Sequence, residues 1–524
     1  MIMNWKNLLK MSTLAVVALF TFAACSDSDD DTPAPAEEAQ MLTFGFYQED
    51  NAGVLSKDYV ATVPQLSAGA TRYDISIAMP SVIDKSALVA RFTINDKNTI
   101  AVGTTAQVSQ TTKNDFTAPV DYTVSNSDKT KNVVYTVTIT RATNMAWTEQ
   151  TPLDATTLTG NAEFTGVYSG AVLAVNPKDN LPYVAFGARG VDNKLTVAKN
   201  AGGTWSLVGS ALFSPAVNGS HYDFDIAPDG TPYVAFGDQD ATSLKGALSV
   251  MKYDGSAWSF VGEQGFFKVQ AQYPGMAAIE SGLAVDLINN STSGDIARRA
   301  MGVATYAGGA WTVGESSLLT SGQGVYMTKM GGNGKVATLI SINRGAVDGV
   351  NYGHNIFKYE NGQWTSLTTN FLEAGATQTS IAQGSFGTTV ALDGTVYAWT
   401  GDDAPNTTKV YQVRLKKYDA AGNTWSTVGG NTLPIGHDSG FESHLSLDVA
   451  IAPDGTPFVV YNNYKDQKKL YVMYLDPDTR QWSNAIQLAE GASDVNIKFA
   501  ATGEGYITYT DDDNKIHIFK YAER

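Results

Sequence analysis

Apolar and polar residues alternate with a period of two along much of the chain. The clearest run is 133–140 (VVYTVTIT), where Val133, Tyr135, Val137 and Ile139 fall on one face and threonines on the other. Residues 41–47 and 72–78 repeat this pattern. A period of two with one polar face is typical of antiparallel strands that bury a single side. The chain is therefore predicted to be all-β.

Residues 41–142 contain about seven such runs, separated by polar turns at 95–97 and 127–129. This number of short strands in a hundred residues predicts a sandwich of immunoglobulin size. The segments 100–103 (IAVG), 115–120 (DFTAPV), 122–124 (YTV) and 135–138 (YTVT) resemble the cadherin-like β-sandwich domains of surface lipoproteins from Gram-negative bacteria. That resemblance implies a spacer.

From Trp147 onward the chain repeats itself. Residues 226–236 (IAPDGTPYVAF), 451–461 (IAPDGTPFVVY) and 176–186 (NPKDNLPYVAF) are three copies of one strand-turn-strand unit, and four weaker copies lie at 280–284, 331–337, 392–397 and 502–506. Most units lead into a strand that ends near Lys-Tyr, then a turn and a Trp. The tryptophans are 53 to 61 residues apart: Trp147, Trp205, Trp258, Trp311, Trp364, Trp425 and Trp482. Four strands in that period predict a seven-bladed β-propeller over residues 145–524.

The two ends of this repeat complement each other. Trp147 has no unit before it, and the last unit, 495–521, has no Trp after it. A ring closes if the Trp147 strand becomes the outer strand of the last blade, which also removes two exposed edges. A Trp that recurs once in each blade is interpreted as packing between blades. The Asp-Gly turns are interpreted as hairpin chemistry, since Gly accepts a positive φ.

The N-terminus is interpreted as a targeting segment. Lys6 and Lys10 precede an apolar run at 14–24 that is too short to span a bilayer, so residues 1–24 are predicted to be a signal peptide. Residues 22–25 (FAAC) resemble the lipobox of bacterial lipoproteins, which implies cleavage before Cys25 and its lipidation. A simple secretory cut is the alternative. Residues 26–31 (SDSDDD) resemble an export signal for the outer face of the outer membrane, the alternative being a plain linker. Residues 25–40 are predicted to be a disordered tether.

Composition narrows the functional classes. The net charge of −16 disfavours nucleic-acid binding, which requires a cationic surface. Cys25 is the single cysteine, so no internal disulfide can form. We expect a monomer attached to the outer membrane by its lipid alone and exposed at the cell surface.

Two kinds of connection are expected on the propeller. One is short and uniform, as at 228–230 and 453–455, and the other is long and variable, as at 209–221, 343–354 and 429–444. Function tends to lie in variable loops on a rigid scaffold, so the long-loop face around the central channel is the predicted binding face. Its aromatic, arginine and histidine side chains suit carbohydrate. The candidate ligand-binding residues are His221, Tyr222, Tyr273, Tyr326, Arg344, His354, His437 and His444.

Catalytic motifs are missing from the sequence. It has no Gly-x-Ser-x-Gly, no His-Glu-x-x-His and no phosphate-binding loop. The propeller resembles the kelch/galactose-oxidase-like or sialidase-like kinds, but the Asp-Gly turns depart from the sialidase Asp-box, and the cysteine that copper chemistry of the first kind requires is absent. No metal or cofactor is predicted. We therefore expect a non-catalytic protein that binds a glycan or a surface protein. The alternative is a polysaccharide-degrading enzyme with carboxylates in the channel.

Overall fold

The computed structural model describes residues 38–161, 167–320, 323–371, 386–403, 411–435, 446–463, 466–513 and 515–524. Cys25, the predicted signal peptide and most of the predicted tether lie outside these ranges, as do His437 and His444. Nearly all regular structure is β, in accordance with the alternating pattern. The single helix of the described ranges is Ala155–Thr159, and none there is long and apolar enough to cross a membrane.

The N-terminal domain is a small β-sandwich. One sheet has the strand order Tyr59–Ala61, Met41–Phe46, Arg91–Ile94. The other has the order Arg72–Met79, Asn132–Arg141, Val120–Ser125, Thr99–Val102, Thr105–Ala106, and its first two strands run parallel. A two-stranded ribbon joins Leu88–Val89 to Lys113–Asn114.

The sandwich has one continuous core between its sheets. Phe44 packs edge-on against Tyr122 with ring centroids 5.4 Å apart, and both side chains are buried. The buried hydroxyl of Tyr135 accepts a hydrogen bond from the Met41 backbone N–H at 3.1 Å. The inward residues of 133–140 are thus those that the period of two predicts.

The C-terminal domain is a seven-bladed β-propeller of four-stranded antiparallel sheets. From the channel outward, the strands of blades 1 to 3 are Val167–Val175, Pro182–Ala188, Leu195–Ala201 and Thr204–Leu207; Val217–Ile226, Pro232–Asp238, Ala247–Tyr253 and Trp258–Phe260; and Ala271–Ile279, Gly282–Asn289, Met301–Ala307 and Ala310–Glu315. Those of blades 4 and 5 are Val325–Gly332, Ala337–Asn343, His354–Glu360 and Gln363–Phe371; and Gly387–Val390, Val396–Asp403, Tyr411–Asp419 and Thr424–Thr427. Blade 6 has Leu447–Ile451, Pro457–Asn463, Lys469–Tyr474 and Ile486–Ala489. A short hairpin, Ala346–Val347 with Val350–Asn351, decorates blade 4.

Blade 7 closes the ring. Its first three strands, Ser493–Phe499, Gly505–Thr510 and Ile516–Glu523, come from the end of the described chain, and its outer strand is Met145–Glu149. Trp147 lies opposite Tyr521 in this antiparallel pair. The closure is the one that the complementary ends of the repeat predict.

The recurring tryptophans pack where neighbouring blades meet. Trp258 of blade 2 donates its indole N–H to the Val208 carbonyl of blade 1 at 2.7 Å, and Trp311 of blade 3 bonds to Val261 of blade 2 at 2.6 Å. A Cβ on Gly209 would lie 2.9 Å from the Trp258 ring, so only glycine leaves room for it there. The interpretation of these residues as packing between blades is confirmed.

The sandwich rests on blades 6 and 7. Val82 is buried in the apolar core of these blades. Arg141 donates to Asp476 at 3.0 Å, and Lys57 pairs with Glu523 at 2.6 Å. The two domains therefore share both an apolar contact and ion pairs.

Candidate functional site

The inner strands of all seven blades line a central channel of about 970 Å³. Each inner strand begins at the face that carries the long connections and ends at the face of the short turns. Because backbone and side chains of every blade meet here, this channel and its long-loop end form the candidate site.

A β-bulge recurs at the long-loop end of the inner strands. The pairing register shifts at residues 168–172 in blade 1, 217–222 in blade 2, 272–275 in blade 3, 325–327 in blade 4 and 493–496 in blade 7. A bulge bends the strand and redirects the side chain that it carries. The bulges contain His221, Tyr273 and Tyr326, of which Tyr273 lines the channel. With Arg299 and Arg344 from the neighbouring loops, these residues are called the rim below.

His221 and Tyr273 form a contact across blades 2 and 3. Their ring centroids are 5.1 Å apart in an edge-on arrangement. The Tyr273 backbone N–H donates to His221 Nδ1 at 3.4 Å, and Tyr273 adopts a φ of +48°. Burial lowers the pKa of His221, so its imidazole is neutral at pH 7. A neutral ring that accepts at Nδ1 carries its proton on Nε2, which can donate to a ligand.

Arg299 lies between blades 3 and 4 on the rim. Its Nη1 donates to Gln272 Oε1 at 3.0 Å and its Nη2 to the Tyr326 carbonyl at 2.9 Å. The guanidinium carbon is 5.8 Å from the centroid of the Tyr326 ring. Arg344 is exposed, and its backbone N–H bonds to the Gly324 carbonyl at 2.8 Å. The rim thus places half-buried aromatic rings beside cationic groups.

The channel wall below the rim carries acids on the inner strand of blade 2. Asp223 accepts from its own neighbour, the Phe224 N–H, at 2.9 Å and from the Met276 N–H of blade 3 at 2.7 Å. Asp225 accepts in the same way from the N–H groups of Ile226 and Ala278, both at 2.8 Å. Both oxygens of each carboxyl group are therefore engaged, and each group connects two blades.

Burial among protein atoms raises the pKa of Asp223 to about 7 and that of Asp225 to about 6. Asp448 on blade 6 repeats the Asp223 geometry, with Oδ2 accepting from the Ile497 N–H of blade 7 at 3.0 Å. Lys329 and Lys498 also line the channel. These five inner-strand residues are called the wall below.

Two of the predicted site residues are buried side chains. Tyr222 is buried, and its hydroxyl donates to the Gly170 carbonyl while accepting from the Gly187 N–H. His354 is 1% exposed, begins the third strand of blade 4, and has no hydrogen-bond partner on either ring nitrogen. Burial lowers its pKa to about 4. Tyr222 nevertheless lines the channel, and the expectation that these two residues contact a ligand stays a prediction.

The rim gathers four of the predicted residues: His221, Tyr273, Tyr326 and Arg344. Arg299 and the wall residues were not among the candidates. For Asp223 and Asp225 the signal in the sequence is the run 223–226 (DFDI), where acids alternate with apolar residues. Among the described residues, no group of three His, Cys, Asp or Glu side chains is arranged to hold a metal ion.

Comparison with known proteins gives one family match. Residues 60–139 match the family model "SGBP, N-terminal", which describes the N-terminal region of surface glycan-binding proteins. The match lies within the sandwich and includes none of the propeller. No curated protein matches the chain.

Solved structures with a similar backbone fold include the following three proteins. An ulvan lyase, described as a new family of polysaccharide lyase, shares 13% identity over 69% of this chain and 95% of its own, with a TM-score of 0.44. The Aleuria aurantia lectin AAL shares 14% over 68% and 93%, with a TM-score of 0.37. A protein of unknown function from Dyadobacter fermentans shares 12% over 73% and 100%, with a TM-score of 0.42. At these values the likenesses carry no argument about chemistry.

Proposed function

We propose that this protein binds a glycan at the rim of its propeller and presents that rim at the cell surface without catalysing a reaction. The observation that carries the proposal is the rim itself. It places the rings of Tyr273 and Tyr326 beside the guanidinium of Arg299 and the neutral imidazole of His221. Sugar C–H faces pack on aromatic rings, and sugar hydroxyls bond to such donors.

The family match supports the same proposal from the other domain. Residues 60–139 match a family described for surface glycan-binding proteins. In the structure the sandwich that contains this region contacts blades 6 and 7 through Val82, which lies within the match, and through Arg141, which lies just after it. A sandwich held in this way would serve as a stiff spacer below the propeller. We further propose a monomer anchored to the outer membrane through lipid on Cys25.

A polysaccharide-degrading enzyme is the second candidate, and one observation favours it. Asp223 and Asp225 lie two residues apart on one strand of the channel, and the pKa of each is raised. Raised carboxyl pKa values are a feature of general acids. However, backbone N–H groups engage all four oxygens, and Asp448 repeats the bonding between another pair of blades. That repetition supports a structural role, and binding remains the better proposal.

Gel retardation with a parallel assay for reducing ends would separate the two candidates. The chain from residue 26 onward would be run through gels that contain plant and host polysaccharides, each neutral or acidic. We expect retardation by at least one polysaccharide and no release of new reducing ends. Release of reducing ends that is abolished by Asp223→Asn would establish the enzyme instead. Retardation by none of the polysaccharides would contradict glycan binding.

A further inference from the structure

The arginines of this acidic protein differ in whether a carboxylate pairs with them. The three arginines of the sandwich each pair with a carboxylate: Arg72 with Asp121, Arg91 with Asp50, and Arg141 with Asp476. In contrast, Arg298, Arg299 and Arg344 lie at or beside the rim, and within the described ranges none of them forms a salt bridge. Although the chain has 52 acidic and 36 basic side chains, these three arginines therefore have no carboxylate partner among the described residues.

The backbone holds Arg299 and Arg344 close together. The Val325 N–H bonds to the Arg299 carbonyl at 2.9 Å, and the Arg344 N–H bonds to the Gly324 carbonyl at 2.8 Å. A Cβ on Gly324 would lie 3.5 Å from the Arg344 Cβ and 3.9 Å from the Arg299 Cβ. The two side chains therefore start on either side of one glycine, whose missing side chain leaves space between them.

Hydrogen bonds fix the Arg299 guanidinium, but not all of its N–H donors have an acceptor. Gln272 and the Tyr326 carbonyl orient its two terminal nitrogens, while its buried Nε has no acceptor. Burial lowers the pKa of Arg299, and the positive charge of Arg344 lowers it further. Both effects mean that an anion placed between these side chains would relieve a cost of the folded state.

We propose that Arg299 and Arg344 form a subsite for a negatively charged sugar unit, whose carboxylate or sulfate group lies between them while its ring packs on Tyr326 or Tyr273. This inference rests on the proposed glycan binding and narrows it to acidic polysaccharides. A planar guanidinium offers parallel N–H donors that match the oxygens of a carboxylate or a sulfate. The rest of the acidic surface repels such polymers, so the arginine pair also determines where they attach.

Matched polymers test the charge directly. Affinity of the chain from residue 26 onward would be measured by gel retardation for polygalacturonate against its methyl ester, and for dextran sulfate against dextran. The first pair isolates a carboxylate and the second a sulfate. We expect the charged member of at least one pair to bind at least tenfold more tightly than its neutral partner, and the pair concerned identifies the anion.

Three variants assign the effect to the subsite. Arg299→Gln with Arg344→Gln is expected to lower the affinity for the charged polymer at least tenfold. Arg299→Lys with Arg344→Lys, which keeps the charge but not the parallel donors, is expected to fall between this variant and the natural chain. The control is Arg480→Gln with Lys335→Gln, which removes the same two charges from exposed residues in turns of blades 6 and 4 and is expected to change affinity less than twofold. Unfolding midpoints verify that each variant is folded.

The outcomes separate this inference from the proposed function. Equal binding of charged and neutral polymers, or unchanged affinity in the Gln double variant, would overturn the anionic subsite while leaving glycan binding intact. An equal loss in Arg480→Gln with Lys335→Gln would also overturn it, because the effect would then be one of net charge. If neither member of either pair is retarded and no neutral polysaccharide of the wider panel binds, both proposals fail.

Discussion

The wall and the rim of the channel both carry charged side chains, but they differ in what those side chains contact. On the wall, each oxygen of Asp223 and Asp225 accepts a backbone N–H at 2.7 to 2.9 Å, and the acids connect blade 2 to blade 3. On the rim, Arg344 is exposed and Arg299 has a buried nitrogen without an acceptor. The two regions are close in sequence, since His221 of the rim and Asp223 of the wall lie on the same strand of blade 2.

This difference indicates which polar groups of the propeller stabilise the fold and which are available to a ligand. Buried polar groups whose bonds are complete stabilise a fold, since removing one leaves its partners unsatisfied. Groups whose bonds are incomplete are available to a ligand. The raised pKa of a wall acid is therefore weaker evidence for chemistry than the unused donors of the rim.

The largest effect is expected from breaking the wall. Asp223→Ala with Asp225→Ala leaves the N–H groups of Met276 and Ala278 without acceptors, which costs about 1–3 kcal/mol for each lost carboxylate. We expect a lower urea midpoint and an unchanged glycan affinity of the folded molecule. The exposed Glu280→Ala is the control for stability. If the variant lost affinity but not stability, Asp223 and Asp225 would be part of the binding site and the structural role would be wrong.

A smaller effect is expected from pH. The pKa values of Asp223 and Asp225 in the folded chain, about 7 and about 6, exceed the ordinary value of 3.8. Their contribution to stability is therefore complete below pH 4 and is lost as the pH rises through 6 and 7, by at most about 1.4 kcal/mol per pH unit for each group.

The check is the difference in urea midpoint between the natural chain and Asp223→Asn with Asp225→Asn, measured from pH 5 to pH 8. Amides do not titrate, so the natural chain should lose stability relative to this variant as the pH rises. A difference that is flat with pH would mean that the wall acids titrate normally.

On the rim, a change should affect binding rather than stability. His221→Ala removes the ring that packs on Tyr273 and its free Nε2 donor, so we expect a loss of about 1 kcal/mol in glycan binding, which is roughly fivefold. His517→Ala is the matched control, because His517 bonds to Glu149 and Asp511 within blade 7. It should lower the unfolding midpoint and spare affinity. The reverse pattern would place the site at the ring closure.

The smallest effect is expected at His354. Neither nitrogen of this buried ring has a partner, and its pKa of about 4 keeps it neutral. His354→Leu should therefore change the free energy of unfolding by less than about 1 kcal/mol, with stabilisation as the expected sign, and should leave binding unchanged. Calorimetry and gel retardation together measure both. A clear loss of affinity would restore His354 to the site.

The architecture could be predicted because it depends on repetition. A tryptophan recurs in every blade and Asp-Gly turns in three of them, and the incomplete units around Trp147 and at 495–521 predict the strand pair that closes the ring. Hairpin geometry follows from local chemistry: Gly230 and Gly455 adopt φ values of +88° and +87°. Repeats and turn residues can be recognised in the sequence without knowing which residues are in contact in the folded protein.

The site could be predicted only in outline. The long-loop face was assigned to binding from loop length, and His221 and Arg344 do lie at its rim. His354 follows a long connection in the sequence, yet it pairs with Ile342 and Phe371 inside blade 4. The bulges that contain Tyr273 and Tyr326 depend on register against the second strand, which a single sequence does not encode locally.

The pairing of Met145–Glu149 with Ile516–Glu523 has a consequence for biosynthesis. A ribosome delivers the chain from its N-terminus, so the first propeller strand to emerge is the last to find its neighbour. Until then blade 7 is missing, and the apolar sheet faces of blades 6 and 1 that pack against it stay uncovered, so aggregation can start there. The sandwich ends at Arg141 and is linked to that strand by three residues, and Asn144 exchanges two hydrogen bonds with Arg524 once the ring is complete. A sandwich that folds early would hold the waiting strand at the place where the end of the chain must arrive.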